Sequence, residues 1–343
     1  MSYRVYETEA GERKLTFESA LPSVFFSTSA WEPTLVEIVS VDATGAETFV
    51  WPPFSQGITM DVFDQLLAVG EDDLGPVLQI RDCVQEASVT DHDPALAVRS
   101  LRVPGATELR GLAVAHERRE AFLRAADRIF VLRHFTTAGS KRDETGAVRL
   151  DLGEVATSAP LGVGGALAFG NDTLYAADGA VLVRIELGSN GWHETARSAP
   201  LEYAIQQLEV VGSQIEIVVD VGATKRLLHA TWPPTGLVLG EATAIPLTGP
   251  VVTASPDRGS NASDLYFAEL GGTEILHANG NRVLTSPFGI TALSAESKRV
   301  YVRDAEGRVS SWSLAGEDAA AFRMPAARVH AQRMLEGLSV IIE

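Results

Sequence analysis

The chain alternates short apolar runs with polar breaks, and the alternation is repetitive. Between Gly289 and Gly316 the order is Ile290-Thr-Ala-Leu-Ser294, a polar break, Arg299-Val-Tyr-Val-Arg-Asp304, the turn Ala-Glu-Gly307, and then Arg308-Val-Ser-Ser-Trp-Ser-Leu314. Apolar runs of four to eight residues bounded by turn residues predict strand, turn, strand, tight turn, strand. Ala166-Leu-Ala-Phe169, Thr173-Leu-Tyr-Ala-Ala-Asp178 and Val181-Leu-Val-Arg-Ile-Glu-Leu187 repeat that grammar around Asn171-Asp172 and Gly179-Ala180. Leu208–Val211 with Ile215–Asp220 and Arg226–Thr231 is another copy, and so is Val251–Ala254 with Asp264–Glu269 and Glu274–Ala278. Asp64–Gly70 followed by Val77–Asp82 also fits.

Self-similarity at a period of about 40 to 50 residues is the mark of a β-propeller. Each repeat reads as a short antiparallel meander broken by Gly, Asn and Asp where turns need positive φ. One meander cannot bury both faces, whereas a ring of them can, and ring closure removes exposed sheet edges. First strands start near Val24, Thr59, Leu112, Ala166, Leu208, Val251 and Ile290. The expectation is therefore an all-β chain, one propeller domain over 1–343, with seven blades of four antiparallel strands. Met1–Phe17 and Arg328–Glu343 are expected to supply the two halves of one blade and close the ring.

Two segments pull the other way. Glu117–Phe130 is rich in helix formers, with Phe122, Ala125, Ala126 and Ile129 at helical spacing. Its place in the repeat predicts a hairpin instead, with Leu112–Ala115 and Arg128–Arg133 as strands. Ala319–Leu335 is similarly mixed, although Pro325 would interrupt a helix there.

Gly307-Arg-Val-Ser-Ser-Trp312-Ser-Leu-Ala-Gly316 resembles the closing strand of a tryptophan-aspartate-repeat blade, which ends in Trp, a polar residue and a turn Gly. No blade carries that family's Gly-His dipeptide, Ser follows Trp312, and Ile185, Ala230 or Ala278 stand near the Trp position elsewhere. The resemblance implies a diverged propeller without an assignable subfamily. An architecture of this kind hosts many functions.

Composition narrows the classes. No run of 18 apolar residues occurs, so a membrane-spanning helix is not expected. The charged N-terminus lacks the apolar core of a signal peptide, and Cys83 is the single cysteine, so no intrachain disulfide forms. A cytoplasmic location is the expectation. The net charge of −17 argues against nucleic acid as the main partner.

That charge is uneven. Asp61–Asp93, which includes Glu71, carries nine acids against Arg81, while Arg99–Arg142 carries ten bases against four acids. Arg118, Arg119 and Arg124 are the candidate partner-binding residues of a polarised surface. The competing reading is two solvated faces that complement each other.

Linear catalytic signatures are missing: no Gly-x-Ser-x-Gly, His-Glu-x-x-His, Cys-x-x-Cys or Gly-x-x-x-x-Gly-Lys occurs. Gly162-Val-Gly164-Gly165 lacks the third glycine of a dinucleotide fingerprint, Leu167 standing in its place, and reads as the turn into the strand at Ala166. All five asparagines lie in turn-like contexts, and the polar loop Asp257–Asp264 lacks the acid spacing of an EF-hand. His229 and His277 fall at equivalent repeat positions, and Asp178, Asp220, Glu269 and Asp304 recur where a second strand ends. Capping of their own hairpin turns is the expected role of these acids. The five tryptophans sit mostly beside turns or Pro, exposed for a ligand or packed at blade ends.

The sequence thus predicts a non-enzymatic adaptor or regulatory propeller with another protein as partner, no catalytic, cofactor-binding or metal residues, and no membrane contact. The alternative is a propeller enzyme or small-ligand receptor with a channel site, such as a metal-dependent lactonase-like hydrolase.

Overall fold

The computed structural model describes residues 2–9, 12–19, 23–26, 35–49, 58–84, 98–118, 120–133, 151–162, 164–222, 224–255, 265–296, 299–313, 318–324, 327–335 and 338–342. Among them there is no α-helix. The chain divides into two compact units, one of residues 1–65, 82–97 and 335–343, the other of residues 66–81 and 98–334.

In the first unit Ser2–Glu9 pairs with Glu12–Ser19 on one side and Leu35–Val41 on the other, with Glu47–Phe49 beyond. Ser23–Phe26 pairs with Leu338–Ile342, which pairs in turn with residues 58–62 of the long strand Ile58–Asp72.

The second unit is a propeller of six blades. Blade 2 runs Gly111–Ala115, Glu120–Arg124, Ile129–Arg133, Asp151–Glu154, and blade 3 Leu167–Gly170, Thr173–Asp178, Val181–Gly188, Gly191–Arg197. Blade 4 is Ile205–Val211, Gln214–Val221, Thr224–Thr231, Val238–Ile245. Blade 5 is Val251–Ala254, Tyr266–Glu269, Glu274–His277, Arg282–Thr285, and blade 6 Ala292–Glu296, Arg299–Arg303, Arg308–Ser313, Asp318–Arg323. Each is an antiparallel meander laid down in chain order. Blade 1 is composite. Its inner strand is Arg328–Leu335, which pairs with Ile58–Asp72, and Gly75–Val84 and Val98–Leu101 follow outward.

The count of six corrects the seven expected. Val24 belongs to a strand of the first unit. Thr59 opens a strand whose part from Leu66 onward is the second strand of a blade, because the C-terminal segment supplies the first. Closure is likewise made by Arg328–Leu335 alone, since Ser2–Glu9 pairs elsewhere.

Burial follows the ring logic. The core clusters lie between blades, each drawing on two neighbours. Ala113, Phe122 and Val131 pack with Leu167, Ala176 and Trp192, and Tyr175 and Leu182 pack with Leu208, Ile217 and Ala230. Val218 and Leu227 meet Phe267, and Tyr266 and Ile275 meet Leu293 and Val302. Second strands are covered on both faces, which explains why they read as continuous apolar runs rather than alternating ones. The helix-like segment 117–130 is the hairpin Glu120–Arg124 to Ile129–Arg133 after one 3₁₀ turn at His116–Arg118. Tertiary burial of its five-residue strand overrides helix propensity.

Turn chemistry holds the repeat in register. Asn171 and Asp172 have φ of 52° and 57° and join Gly170 to Thr173 as a two-residue hairpin loop. The same turn stitches neighbours: Asn171 Nδ2 donates to the Gly212 carbonyl at 2.7 Å, and Arg118 of blade 2 pairs with Asp172 at 3.0 Å.

Candidate functional site

Six inner strands surround a central channel, and polar residues interrupt their apolar pattern there. In blade 4 the run Ile205-Gln-Gln-Leu-Glu-Val-Val211 places Gln207 and Glu209 two apart, hence on one face of the strand. Glu209 is buried and accepts from Thr253 Oγ1 at 2.8 Å, Ser255 Oγ at 3.1 Å and Arg333 Nη2 at 2.9 Å. Thr253 and Ser255 come from the adjacent blade 5. Arg333 comes from blade 1, three places round a ring of six, so the pair spans the channel between opposite blades. Beside it Gln332 Nε2 donates to Ser294 Oγ at 3.2 Å, and its buried Oε1 has no hydrogen-bond partner among the described residues.

Above this plug, on the side where the inner strands begin, lies a cavity of about 270 Å³ lined by blades 1, 4, 5 and 6. A narrower space of about 40 Å³ continues from it into the channel past Gln207, Val252 and His330. Lys225 and Asp220 form an ion pair at the rim. His330 is half-buried there, and burial, aided by Arg328 and opposed by Glu71, holds its imidazole below the usual histidine range.

The acids at the second-strand ends divide. Asp304 caps its own turn, accepting from the Arg308 amide at 2.8 Å and Arg308 Nε at 2.6 Å. Asp220 reaches across its hairpin to Lys225. Asp178 instead receives the Gly162 amide at 2.7 Å and Arg197 Nη1 at 2.6 Å, so it anchors the loop entering its blade. Asp178, Asp220 and Asp304 are thus engaged within the fold rather than free.

Of the basic candidates, Arg118 is exposed, paired with Asp172, and placed 5.8 Å over the Trp192 ring. Arg119 lies outside the described residues. Arg124 is fully buried and donates to the Gly162 carbonyl at 2.8 Å, which removes it from the surface patch. Arg303 ends the second strand of blade 6 in the same manner and donates to Gln79 of blade 1 at 2.9 Å. Both guanidiniums tie one blade to the next. The acidic and basic stretches meet in Arg102 and Asp72, paired at 2.7 Å.

His229 faces Glu216, and His277 faces Tyr266, on the strand before. Their partners differ. His229 Nδ1 lies 2.7 Å from Glu216 Oε2, while His277 Nδ1 receives the Asn279 amide. Burial, opposed by His229, pushes the Glu216 carboxyl above the usual range. Among the described residues no group of three His, Cys, Asp or Glu is arranged to hold a metal. Trp192 is core, with Nε1 donating to Glu120 at 2.9 Å, and Trp31, Trp51 and the loop 257–264 fall outside or largely outside the described residues. Among the described residues no helix is long and apolar enough to cross a membrane.

The sequence did not single out the channel residues Gln207, Glu209, His330, Gln332 and Arg333. Their one signal was polarity inside an apolar strand.

No family model and no curated protein matches the chain. Among solved structures, a chain in the crystal structure of a nidogen/laminin complex is similar with a TM-score of 0.55 and 11% identity, covering 79% of this chain and 98% of that one. Apo AztD from Citrobacter koseri gives a TM-score of 0.41 at 11% identity, covering 98% of each chain. A protein from Lactobacillus plantarum gives 0.45 at 11% identity, covering 98% of this chain and all of that one. The first of these likenesses shows the propeller fold alone.

Proposed function

We propose that the propeller works through contacts with another protein, as an adaptor or regulatory subunit. The observation that carries this reading is the plug at the ring's centre. Arg333 and Glu209 fill the depth of the channel where a propeller enzyme assembles its catalytic groups, and both are used up in holding blades 1, 4 and 5 together. What the ring presents outward is its rim of hairpin turns. Arg118 and Asp172 stand on that rim, and Arg119 follows Arg118 in sequence.

The test is purification of the tagged chain from its native cell at low and moderate salt, followed by reconstitution with the protein retained. A stoichiometric complex is expected, and reversing Arg118 and Arg119 to Glu should slow association and flatten its salt dependence. Recovery of no stoichiometric protein, or an association rate and salt slope untouched by the reversal, would remove the reading and its proposed surface respectively.

A further inference from the structure

We propose that the open mouth of the channel is a binding site for an uncharged, hydroxyl-rich small molecule of about one sugar ring. The proposal goes beyond the protein-contact reading and stands apart from it, because it uses the cavity above the plug rather than the rim.

Size sets the first bound. The mouth encloses about 270 Å³. Pockets for drug-sized ligands run from about 300 to 1,000 Å³, so the part of an occupant seated in this open mouth is smaller than these. Below it the channel narrows to the space of about 40 Å³ that Arg333 lines, and Arg333 pairs with Glu209 across the ring.

Charge sets the second. Asp220 and Lys225 are the ionised groups in the lining, and they neutralise each other. Neither a free cation to hold an anion nor a free carboxylate to hold a metal remains among the lining residues. A charged ligand would lose its hydration without gaining a counter-charge.

The unused hydrogen-bonding groups set the third. Gln207 Nε2 donates to the Val251 carbonyl at 3.2 Å, which leaves its Oε1 as an acceptor. The Gln206 amide, the Thr248 hydroxyl and the His330 ring make no bond to the described residues. Together they offer donors and acceptors within one small volume. An apolar occupant would strand them, at a cost that disfavours it. A ligand whose hydroxyls both donate and accept satisfies them, and Val218, Pro250, Val251 and Leu270 supply an apolar wall for the carbon faces of a ring.

Isothermal titration of the full chain with D-glucose, D-galactose and myo-inositol at millimolar concentrations tests this, with glutamate, lysine and inorganic phosphate as charged comparisons. Saturable binding of at least one of the three polyols is expected. Gln207→Leu should weaken it about tenfold, the loss of one well-placed hydrogen bond. Thr248→Trp, an exposed loop substitution that leaves the inner strands alone, should abolish it by filling the mouth. No saturable heat with any polyol, preference for a charged comparison, or full binding in Thr248→Trp would overturn the proposal. The protein-contact reading would survive each of those results, since none involves Arg118 or the rim.

Discussion

Arg333 Nη2 lies 2.9 Å from Glu209 Oε1, and the two residues sit on opposite blades of the ring, 124 positions apart in sequence. Both side chains are largely withdrawn from solvent, at 14% and 5% exposure. Removing one partner would therefore strand a buried charge, which costs far more than an exposed pair is worth. Arg333→Met should destabilise the chain by about 3–5 kcal/mol. Thr253 and Ser255 still donate to Glu209 in that variant, which places it toward the lower end. Arg333→Met combined with Glu209→Gln should recover most of the loss, because no unpaired charge remains. Urea unfolding of the four proteins checks this. Single substitutions costing less than about 1 kcal/mol, the range of a surface pair, would show that the pair does not tie the ring.

Arg303 tests the joint between blades 6 and 1. It is fully buried, and burial, partly offset by Asp304, lowers its guanidinium pKa to about 10. Its Nη2 donates to Gln79 Oε1 and its Nη1 approaches Met324 Sδ at 3.4 Å. Desolvating a guanidinium is expensive, so replacing it with an apolar chain of similar length removes cost as well as benefit. Arg303→Met is expected to be the milder change and Gln79→Leu the harsher one, since the latter takes away an acceptor and keeps the buried cation. Equal melting temperatures for the two variants would contradict that asymmetry.

How much of this was legible depends on how local each feature is. The hairpin at Asn171-Asp172 and the cap at Asp304 are decided within four residues, and the pattern named them both as turns. Blades 2 to 6 are contiguous in sequence, and their inner strands include or directly follow the starts read at Leu112, Ala166, Leu208, Val251 and Ile290. Blade 1 joins Arg328–Leu335 to a strand more than 250 residues earlier, and nothing in either segment's pattern records that pairing. Arg124 was misread for a related reason. Its burial is set by Gly162 on the following blade, and an arginine among Arg118, Arg119 and Arg128 looks solvent-facing until the ring is formed.

Glycines pressed against another strand's or loop's backbone give a sharper test of the ring than glycines in turns. A Cβ at Gly111 would collide with the Gly165 carbonyl oxygen, and one at Gly70 with the Arg328 carbonyl oxygen, both rigid backbone. Gly179 has φ of 63° but open space around its would-be Cβ. Gly179→Ala should therefore cost about 1 kcal/mol, the price of a left-handed conformation alone. Gly111→Ala must displace the backbone entering the next blade, and Gly70→Ala that of the closing strand in its own blade, so each should cost more than about 3 kcal/mol. Gly70→Ala bears on the closing strand directly. If it unfolded at the same denaturant concentration as Gly179→Ala, Arg328–Leu335 would not be seated against Gly70 as blade 1's inner strand.

Glu216 makes the stability of blade 4 depend on pH in a direction opposite to most carboxylates. Burial is the largest influence on it and raises its pKa above the ordinary value of 4.5, while the nearby His229 opposes the rise. The folded state therefore holds this proton more tightly than the unfolded chain does. The resulting stability is fully present below about pH 4.5 and is lost as pH climbs through the raised value. Above that raised value the ionised Glu216 is a burden, opposed by His229, whose Nδ1 lies at 2.7 Å. Glu216→Gln should raise the melting temperature at pH above that raised value and leave it nearly unchanged in acid. His229→Phe should do the reverse, deepening the loss at the same pH because the carboxylate then loses the group that opposes its burial. Melting curves of the three proteins between pH 4 and 8 decide the matter. A Glu216→Gln variant less stable than the parent at pH above that raised value would mean that the carboxylate contributes more through its pairing than burial takes away.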